Sequence, residues 1–164
     1  MSVSSKQTSL VVTSAADFSL QDHQGDTVSL KAALVDGPVM LVFYPKDFTP
    51  VCTQQLCDYR DNLAEFEQFG IQIFAISHND QDSHAQFVAE HNFPFVLLTD
   101  TGNKVAKSYG CTSRLMLGKV SRAIVLVNTK GEIIYRHVEA TPLTRRKSHT
   151  LLARLRQLSD DSLI

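Results

Sequence analysis

Two cysteines five residues apart carry the chemistry that this sequence suggests most strongly. Cys52 follows an apolar run at residues 39–44 and a loop with two prolines at residues 45–50, and it stands where a helix should begin. A helix N-terminus presents unpaired N–H groups and the positive end of the helix dipole, and both favour a thiolate over a thiol. Because the thiolate is the nucleophilic form of cysteine, the sequence predicts that Cys52 is a reactive nucleophile.

Cys57 lies five residues after Cys52 on the same predicted helix. On a regular helix five residues rise about 7.5 Å and rotate by about 140°, which separates the two Cα atoms by roughly 8–9 Å. A disulfide needs Cα atoms within about 7 Å, so a bond between these cysteines requires the first turns of the helix to unwind. A second interpretation stays open, in which Cys57 is only a small buried residue, as free cysteines commonly are.

Thr49 lies three residues before Cys52 in the same loop. Its hydroxyl can donate and accept a hydrogen bond, so it could hold a small polar substrate against the sulfur. Threonine is also a favoured N-cap residue, so the same hydroxyl could cap the helix. The two roles are compatible, and the sequence leaves both open.

A metal site is the other chemistry that two nearby cysteines suggest, but structural zinc normally takes four ligands. The remaining candidates are Cys111 and six scattered histidines without paired ligand spacing: His23, His78, His84, His91, His137 and His149. We therefore expect no metal and no cofactor. We place His84 and His91 on an exposed helix.

The surrounding elements predict one α/β domain spanning residues 1–164, with residues 1–9 flexible. Strands are expected at 10–12, 18–20, 28–30, 39–44, 71–77, 95–98, 123–128 and 133–136; helices at about 51–69, from Asp80 or Asp82 to 91, at 104–109 and around 151–158; and a loop at 112–120. Alternation of strands and helices predicts a central mixed sheet flanked by helices, with an N-terminal β-hairpin.

Composition excludes several functional classes. The formal net charge of -1 offers no basic surface for nucleic acid. No stretch approaches the roughly 20 apolar residues that span a bilayer, and the N-terminus lacks the pattern of a signal peptide, so we expect a cytoplasmic protein that does not bind membranes. Three cysteines in 164 residues argue against a structural disulfide framework, so any disulfide is expected to be transient and catalytic.

The segment at residues 45–61, PKDFTPVCTQQLCDYRD, resembles a known family. Pro45, Thr49 and Cys52 reproduce the P-x-x-x-T-x-x-C signature of peroxiredoxins. The Cys52 to Cys57 spacing is similar to that of the bacterioferritin-comigratory, or Q-type, subgroup of atypical two-cysteine peroxiredoxins. The resemblance extends to Asp17-Phe18, Phe93-Pro94-Phe95, Thr99-Asp100, Val105-Ala106-Lys107, Tyr109-Gly110 and Arg122, and it departs at Val51, where the subgroup usually has glycine.

The resemblance implies a thioredoxin-like fold and a thiol-dependent peroxidase of antioxidant defence, which reduces hydrogen peroxide and organic hydroperoxides. It implies that Cys52 is the peroxidatic cysteine and becomes a sulfenic acid. Cys57 would be the resolving cysteine, forming an intramolecular disulfide with Cys52. Thr49 would orient the peroxide, Arg122 would stabilise the thiolate and the charge of the transition state, and Pro45 would shape the loop and shield the site.

The resemblance also implies that thioredoxin or a glutaredoxin-like reductant regenerates the dithiol and that the chain is a monomer or a weak dimer. Cys111 does not lie at a standard resolving position, and we interpret it as a bystander. Two other functions remain open for the same cysteine. A redox sensor or holdase would relay the oxidation of Cys52 to partner proteins, and a thiol–disulfide oxidoreductase is disfavoured because the chain has no Cys-x-x-Cys.

Overall fold

The computed structural model of the chain describes residues 13–114 and 117–164. Its elements in chain order are β1 (Thr13–Ser14), β2 (Ser19–Asp22), β3 (Thr27–Ser29), α1 (Leu30–Ala33), β4 (Val39–Phe43), α2 (Pro50–Asp61), α3 (Leu63–Glu67), β5 (Gln72–Ser77), α4 (Gln81–His91), β6 (Val96–Thr99), α5 (Lys104–Ser108), β7 (Thr112–Ser113), β8 (Lys119–Val120), β9 (Ala123–Val127), β10 (Glu132–Val138) and α6 (Ser148–Asp160). The predictions of a flexible stretch at 1–9 and a strand at 10–12 lie outside the described residues.

Eight of the strands form one mixed sheet in the order β1-β10-β9-β4-β5-β6-β2-β3. Strands β4, β5 and β6 are parallel neighbours, and β9 runs antiparallel to β4. Parallel neighbours need crossover connections, which α2 with α3 and then α4 provide. The predicted central mixed sheet with flanking helices is confirmed, and so is the N-terminal hairpin, formed by β2 and β3.

Strand β4 is buried on both faces because helices cover both sides of the sheet. Met40 and Val42 point into a cluster that also contains Cys52 and the buried leucines of α6. The alternate residues of β4 point into the opposite cluster, which contains Cys111. The sheet thus separates Cys52 from Cys111, and the leucine spacing that predicted α6 marks its buried face.

Two predicted elements differ in the structure. The helix expected over 51–69 divides at Asn62, whose φ of -112° and ψ of 17° are not helical. The Asn62 side chain donates a hydrogen bond to the carbonyl of Asp58, an alternative to the helical ladder that asparagine commonly takes. The loop expected at 112–120 contains the short pair β7 and β8, whose two-residue strands are too short to give a periodic signal.

The exposed position predicted for His84 is wrong. Asp80 caps α4 as expected, but the His84 side chain turns inward and is fully buried. Its Nδ1 lies 2.7 Å from Oδ2 of Asp47, and its Nε2 lies 3.1 Å from the carbonyl oxygen of Leu98. A histidine can be buried in this way because each ring nitrogen has a polar partner.

Candidate active site

Cys52 is the third residue of α2 and is fully buried. Thr49 stands at the N-cap and Pro50 at the first helical position, where the missing N–H of proline costs nothing. The first-turn N–H groups of a helix have no partner within the helix, and they give this end a partial positive charge. The predicted placement of Cys52 at a helix start is therefore observed.

Arg122 lies immediately before β9, the neighbour of β4, and its side chain contacts the sulfur of Cys52. Residues Phe43 and Ala123 are directly paired between β4 and β9, so the loop after β4 and the residue before β9 share one edge of the sheet. Nη1 of Arg122 donates a hydrogen bond of 2.8 Å to Sγ of Cys52. The register of the sheet thus brings together two residues that are 70 positions apart in the sequence.

The remaining hydrogen bonds of the Arg122 guanidinium go to uncharged acceptors. Its Nε donates to the carbonyl of Thr144 and its Nη2 to the carbonyl of Pro142, each over 3.2 Å, while Nη1 also lies 3.4 Å from Oε1 of Gln55. The Arg122 side chain is only 3% exposed. Among these contacts of a buried cation, the Cys52 sulfur is the one partner that belongs to an ionisable side chain.

Gln55 is a site residue that the sequence reasoning missed. It is fully buried, and its Nε2 donates to the hydroxyl of Tyr59 over 3.0 Å. That hydroxyl donates to the carbonyl of Arg146 over 2.6 Å, and burial raises the pKa of Tyr59 well above its usual range, so it stays a donor. One signal in the sequence was available: an amide on the same helix face as Leu56 and Tyr59 needs buried polar partners.

The structure places Thr49 and Pro45 beside this centre in different ways. The hydroxyl of Thr49 donates to the carbonyl of Lys46 over 3.0 Å and makes no capping bond to α2, so the capping interpretation is wrong. Its oxygen keeps acceptor capacity for another donor. Pro45 lines a cavity of about 220 Å³ together with Arg122 and Pro142. Pro45 therefore shares a cavity wall with the residue whose guanidinium contacts the Cys52 sulfur.

A buried polar network fixes the loop that precedes Cys52. Asp47 accepts a 2.6 Å hydrogen bond from the hydroxyl of Tyr44 and a 2.8 Å bond from Ser83, in addition to its contact with His84. Burial, followed by the negative charge of Asp47, raises the pKa of Tyr44 well above its usual value, so the phenol remains a donor. The loop is therefore tied to α4 through two of its side chains, Ser83 and His84.

The next residue of this loop, Phe48, has a φ of 64°, which is unusual for a residue with a bulky side chain. Its ring packs at 4.9 Å against the buried ring of Phe87 on α4. An outlying backbone angle persists where the surroundings over-determine it. Here the packing of Phe48 on α4 and the hydrogen bonds of Asp47 stabilise the turn that immediately precedes α2.

Cys57 lies further along α2 and faces α4. It is half-buried, and its Sγ lies 3.8 Å from Nδ1 of His91. Cys52, Cys57 and Cys111 are all in the free form. In the other core cluster, burial raises the pKa of the Cys111 thiol to about 11, which leaves very little thiolate near neutral pH.

Two further properties of the described residues bear on function. They contain no group of three or more histidine, cysteine or acidic side chains arranged to hold a metal ion. Over residues 13–114 and 117–164, no helix is long and apolar enough to cross a membrane.

Comparison with known proteins identifies the family. The sequence model described as the AhpC/TSA family matches residues 11–136 of this chain. The chain belongs to the AhpC/TSA family. Among curated members of related sequence, the chloroplastic peroxiredoxin Q of Triticum aestivum is 40% identical over 119 residues, which make up 73% of this chain and 54% of that protein. The chain thus spans about half the length of the curated relatives it matches.

Solved structures of similar proteins have the same architecture. The peroxidoxin BcpB of Mycobacterium tuberculosis superposes with a TM-score of 0.81 at 31% identity, covering 90% of this chain and 96% of that one. A structure of Xanthomonas campestris peroxiredoxin Q gives a TM-score of 0.75 at 25% identity, covering 85% of this chain and 90% of that one. The thioredoxin-like fold and the resemblance to Q-type peroxiredoxins are both confirmed.

Proposed function

We propose that this chain is a thiol-dependent peroxidase that reduces hydrogen peroxide and organic hydroperoxides. The observation that carries the proposal is the 2.8 Å hydrogen bond from the buried Arg122 guanidinium to Sγ of Cys52 at the start of α2. A thiolate held in this way attacks one oxygen of the peroxide, and the O–O bond breaks. Water or an alcohol leaves after taking up a proton, and Cys52 becomes a sulfenic acid.

Arg122 acts in two stages of this reaction. Before the attack, its positive charge stabilises the Cys52 thiolate. During the attack, negative charge moves from the sulfur to the leaving oxygen, and a guanidinium already in place stabilises that charge without further reorganisation. The carbonyls of Pro142 and Thr144 hold the guanidinium in position, so it remains directed at the sulfur.

Thr49 and Pro45 have supporting roles in the proposal. Thr49 orients the peroxide through the acceptor capacity of its hydroxyl, whose hydrogen already bonds to Lys46. Pro45 shapes the wall of the cavity beside Arg122 and limits the access of water. A shielded site strengthens the electrostatic interactions on which the reaction depends.

Cys57 resolves the sulfenic acid in this proposal and forms an intramolecular disulfide with Cys52. Both cysteines lie on α2, so the start of the helix must unwind before their sulfurs can meet. Cys57 is adjacent to Asp58, whose carboxylate bonds to Ser148 of α6. We therefore propose that the Cys52 end of α2 moves while the Cys57 end stays attached.

The proposal extends to partners and organisation. Thioredoxin or a glutaredoxin-like protein would reduce the disulfide, and the reaction would need no metal or cofactor. The chain would act as one domain, as a monomer or a weak dimer. A cytoplasmic location stays a prediction, because plant relatives are named as chloroplastic.

The test is peroxide consumption by the purified chain with thioredoxin and its reductase as electron source. Cys52→Ser should abolish turnover, and Cys111→Ser, which alters a cysteine on the opposite face of the sheet, should leave turnover intact. Continued peroxide consumption by the Cys52→Ser variant would contradict the proposal. A parent chain that is oxidised by peroxide but passes its oxidation to partner proteins, without steady turnover, would identify a redox sensor or holdase instead.

A further inference from the structure

The half-buried sulfur of Cys57 has a titratable neighbour on another helix. His91 is the last residue of α4, and its Nδ1 lies 3.8 Å from Sγ of Cys57, within hydrogen-bonding distance for sulfur. Neutral imidazole is the most common general base among side chains. In the proposed resolving step, the Cys57 thiol must lose its proton before the sulfur can attack the Cys52 sulfenic acid. That step therefore requires a nearby group that accepts the proton.

The His91 ring is held in place by its surroundings. It stacks on the ring of Phe93 at 5.4 Å with an interplanar angle of 24°, and it meets the edge of Phe87 at 5.3 Å. The carbonyl of His91 accepts a 2.6 Å hydrogen bond from Nη1 of Arg60. These contacts fix the direction of Nδ1, so its proximity to Cys57 follows from packing on both sides of the ring.

Cys57 is positioned from the other side by its neighbour in sequence. Asp58 accepts hydrogen bonds from the backbone N–H and the hydroxyl of Ser148, over 2.7 and 2.8 Å, and its carboxylate also lies 3.3 Å from Nη1 of Arg145. Asp58 directly follows Cys57 in α2, so this attachment to α6 holds the helix on the C-terminal side of Cys57. When the start of the helix unwinds, Cys57 therefore stays near His91 while Cys52 approaches.

Arg60 adds a positive charge to the same surroundings. Its pKa is raised, first by its hydrogen bond to Asp61 and then in part by the charge of the Cys57 sulfur. The sulfur of Cys57 therefore lies next to a base that can take its proton, and the Arg60 guanidinium bonds to the backbone of that same residue.

We propose that His91 is the general base of the resolving step, which rests on the peroxidase function proposed above. Nδ1 of His91 removes the proton of the Cys57 thiol, and the thiolate attacks the sulfur of the Cys52 sulfenic acid. The S–S bond forms as the S–O bond breaks, and the departing hydroxide takes up the proton that His91 releases. One sulfenic acid and one thiol become one disulfide and one water, with no other reactant.

The experiment follows both steps of a single turnover in the reduced chain. One equivalent of hydrogen peroxide is added, the reaction is quenched at intervals, and mass spectrometry measures the Cys52 sulfenic acid and the Cys52–Cys57 disulfide separately. The informative variant is His91→Phe, which keeps a ring against Phe93 but has no base. His78→Ala is the matched control, since His78 is exposed and lies outside α4.

We expect His91→Phe to form the sulfenic acid at the parent rate and the disulfide about ten to thirty times more slowly, because an ordinary thiol is only a few per cent ionised near neutral pH. With excess peroxide, the slow variant should also accumulate Cys52 sulfinic acid. Added imidazole should restore the disulfide rate in His91→Ala, which a purely structural role would not allow. His78→Ala should behave as the parent chain.

A His91→Phe variant that forms the disulfide at the parent rate overturns the proposal, and so does a His91→Ala variant that is slow but gains nothing from imidazole. Slower sulfenic acid formation in His91→Phe would also count against it, since that result locates the defect in the first step. If the parent chain itself forms no Cys52 sulfenic acid, the proposed function has failed instead, and if it forms the sulfenic acid but no disulfide with Cys57, the resolving role of Cys57 has failed; these outcomes are distinct from a defect confined to the His91 variants.

Discussion

Nη1 of Arg122 lies 2.8 Å from Sγ of Cys52, and the two residues are 3% and 0% exposed. The other hydrogen-bond acceptors that the described residues offer to this guanidinium are two carbonyls and an amide oxygen. The Cys52 sulfur is therefore the acceptor that can carry a full negative charge. The proposed peroxidase reaction places a thiolate at this position, where it would offset the cost of burying the guanidinium.

Replacing Arg122 should remove most of the activity. Arg122→Gln loses the charge, and we expect kcat/KM for hydrogen peroxide to fall by about 100- to 1000-fold, the range found for a lost transition-state donor. Arg122→Lys keeps the charge but cannot bond simultaneously to the sulfur and to both carbonyls, so an intermediate loss is expected. Stopped-flow kinetics of Cys52 oxidation measures both variants. Arg156→Gln, at an exposed position of α6, is the control, and equal losses in all three variants would contradict the assignment.

Gln55 provides a second, more specific test of the same contact. Gln55→Glu places a carboxylate where an amide oxygen now lies 3.4 Å from Nη1 of Arg122, so a second anion competes with Cys52 for the guanidinium. We expect Cys52 to react with peroxide at least about tenfold more slowly, since a charged acceptor interacts with arginine more strongly than a neutral one. Gln55→Met removes the polar contact without adding charge and should cost less activity. A faster reaction in Gln55→Glu would show that the sulfur does not depend on Arg122.

The sequence allowed prediction of the parts of this centre that depend on local order along the chain. A strand, a loop and a helix start around Cys52 were enough to place the sulfur, and hydrophobic spacing located α6. The contact of Gln55 with Arg122 and the burial of His84 could not be predicted, because each depends on a distant residue that the fold brings close: Arg122 in the first case and Asp47, from the loop before α2, in the second. His84 lacks apolar character, so its position in the α4 pattern indicated an exposed side chain.

The contact between Asp47 and His84 should contribute strongly to stability. Both side chains are fully buried, and Nδ1 of His84 lies 2.7 Å from Oδ2 of Asp47. Removing one partner leaves the other without compensation, so Asp47→Leu or His84→Leu should each lower the free energy of unfolding by about 3–5 kcal/mol. Chemical denaturation of the single and double variants measures the coupling. A double variant that loses the full sum of the two single losses would show that the pair does not interact.

Cys111 should affect stability at high pH without affecting catalysis. Burial raises the pKa of its thiol from 9.0 to about 11, so between these values the unfolded chain loses the proton while the folded chain keeps it. The stability due to the protonated thiol is complete below pH 9 and is lost as the pH rises through 11, by about 2–3 kcal/mol in total. Cys111→Ala should be about 1 kcal/mol less stable than the parent at pH 7 because of the smaller side chain.

At pH 11 the order should reverse, because Cys111→Ala no longer carries the group that disfavours folding in alkali. Denaturation curves at several pH values, with reductant present, measure the difference between the two proteins. Buried tyrosines contribute equally to both and cancel in the comparison. A constant difference from pH 7 to pH 11 would show that the Cys111 thiol ionises in the folded chain as readily as in the unfolded one.

Oxidation should unwind only the first part of α2. Asp58 bonds to the backbone N–H and hydroxyl of Ser148 at the start of α6, as an N-cap residue supplied by another helix would. Hydrogen exchange measured by mass spectrometry should therefore rise at residues 50–57 when the disulfide forms and remain low from Asp58 to Asp61. In Asp58→Asn, which weakens these charge-assisted bonds, the exchanging segment should extend past residue 58 after oxidation. Unchanged protection at residues 50–57 in the oxidised parent would contradict the unwinding, because a regular helix keeps the two cysteines too far apart to bond.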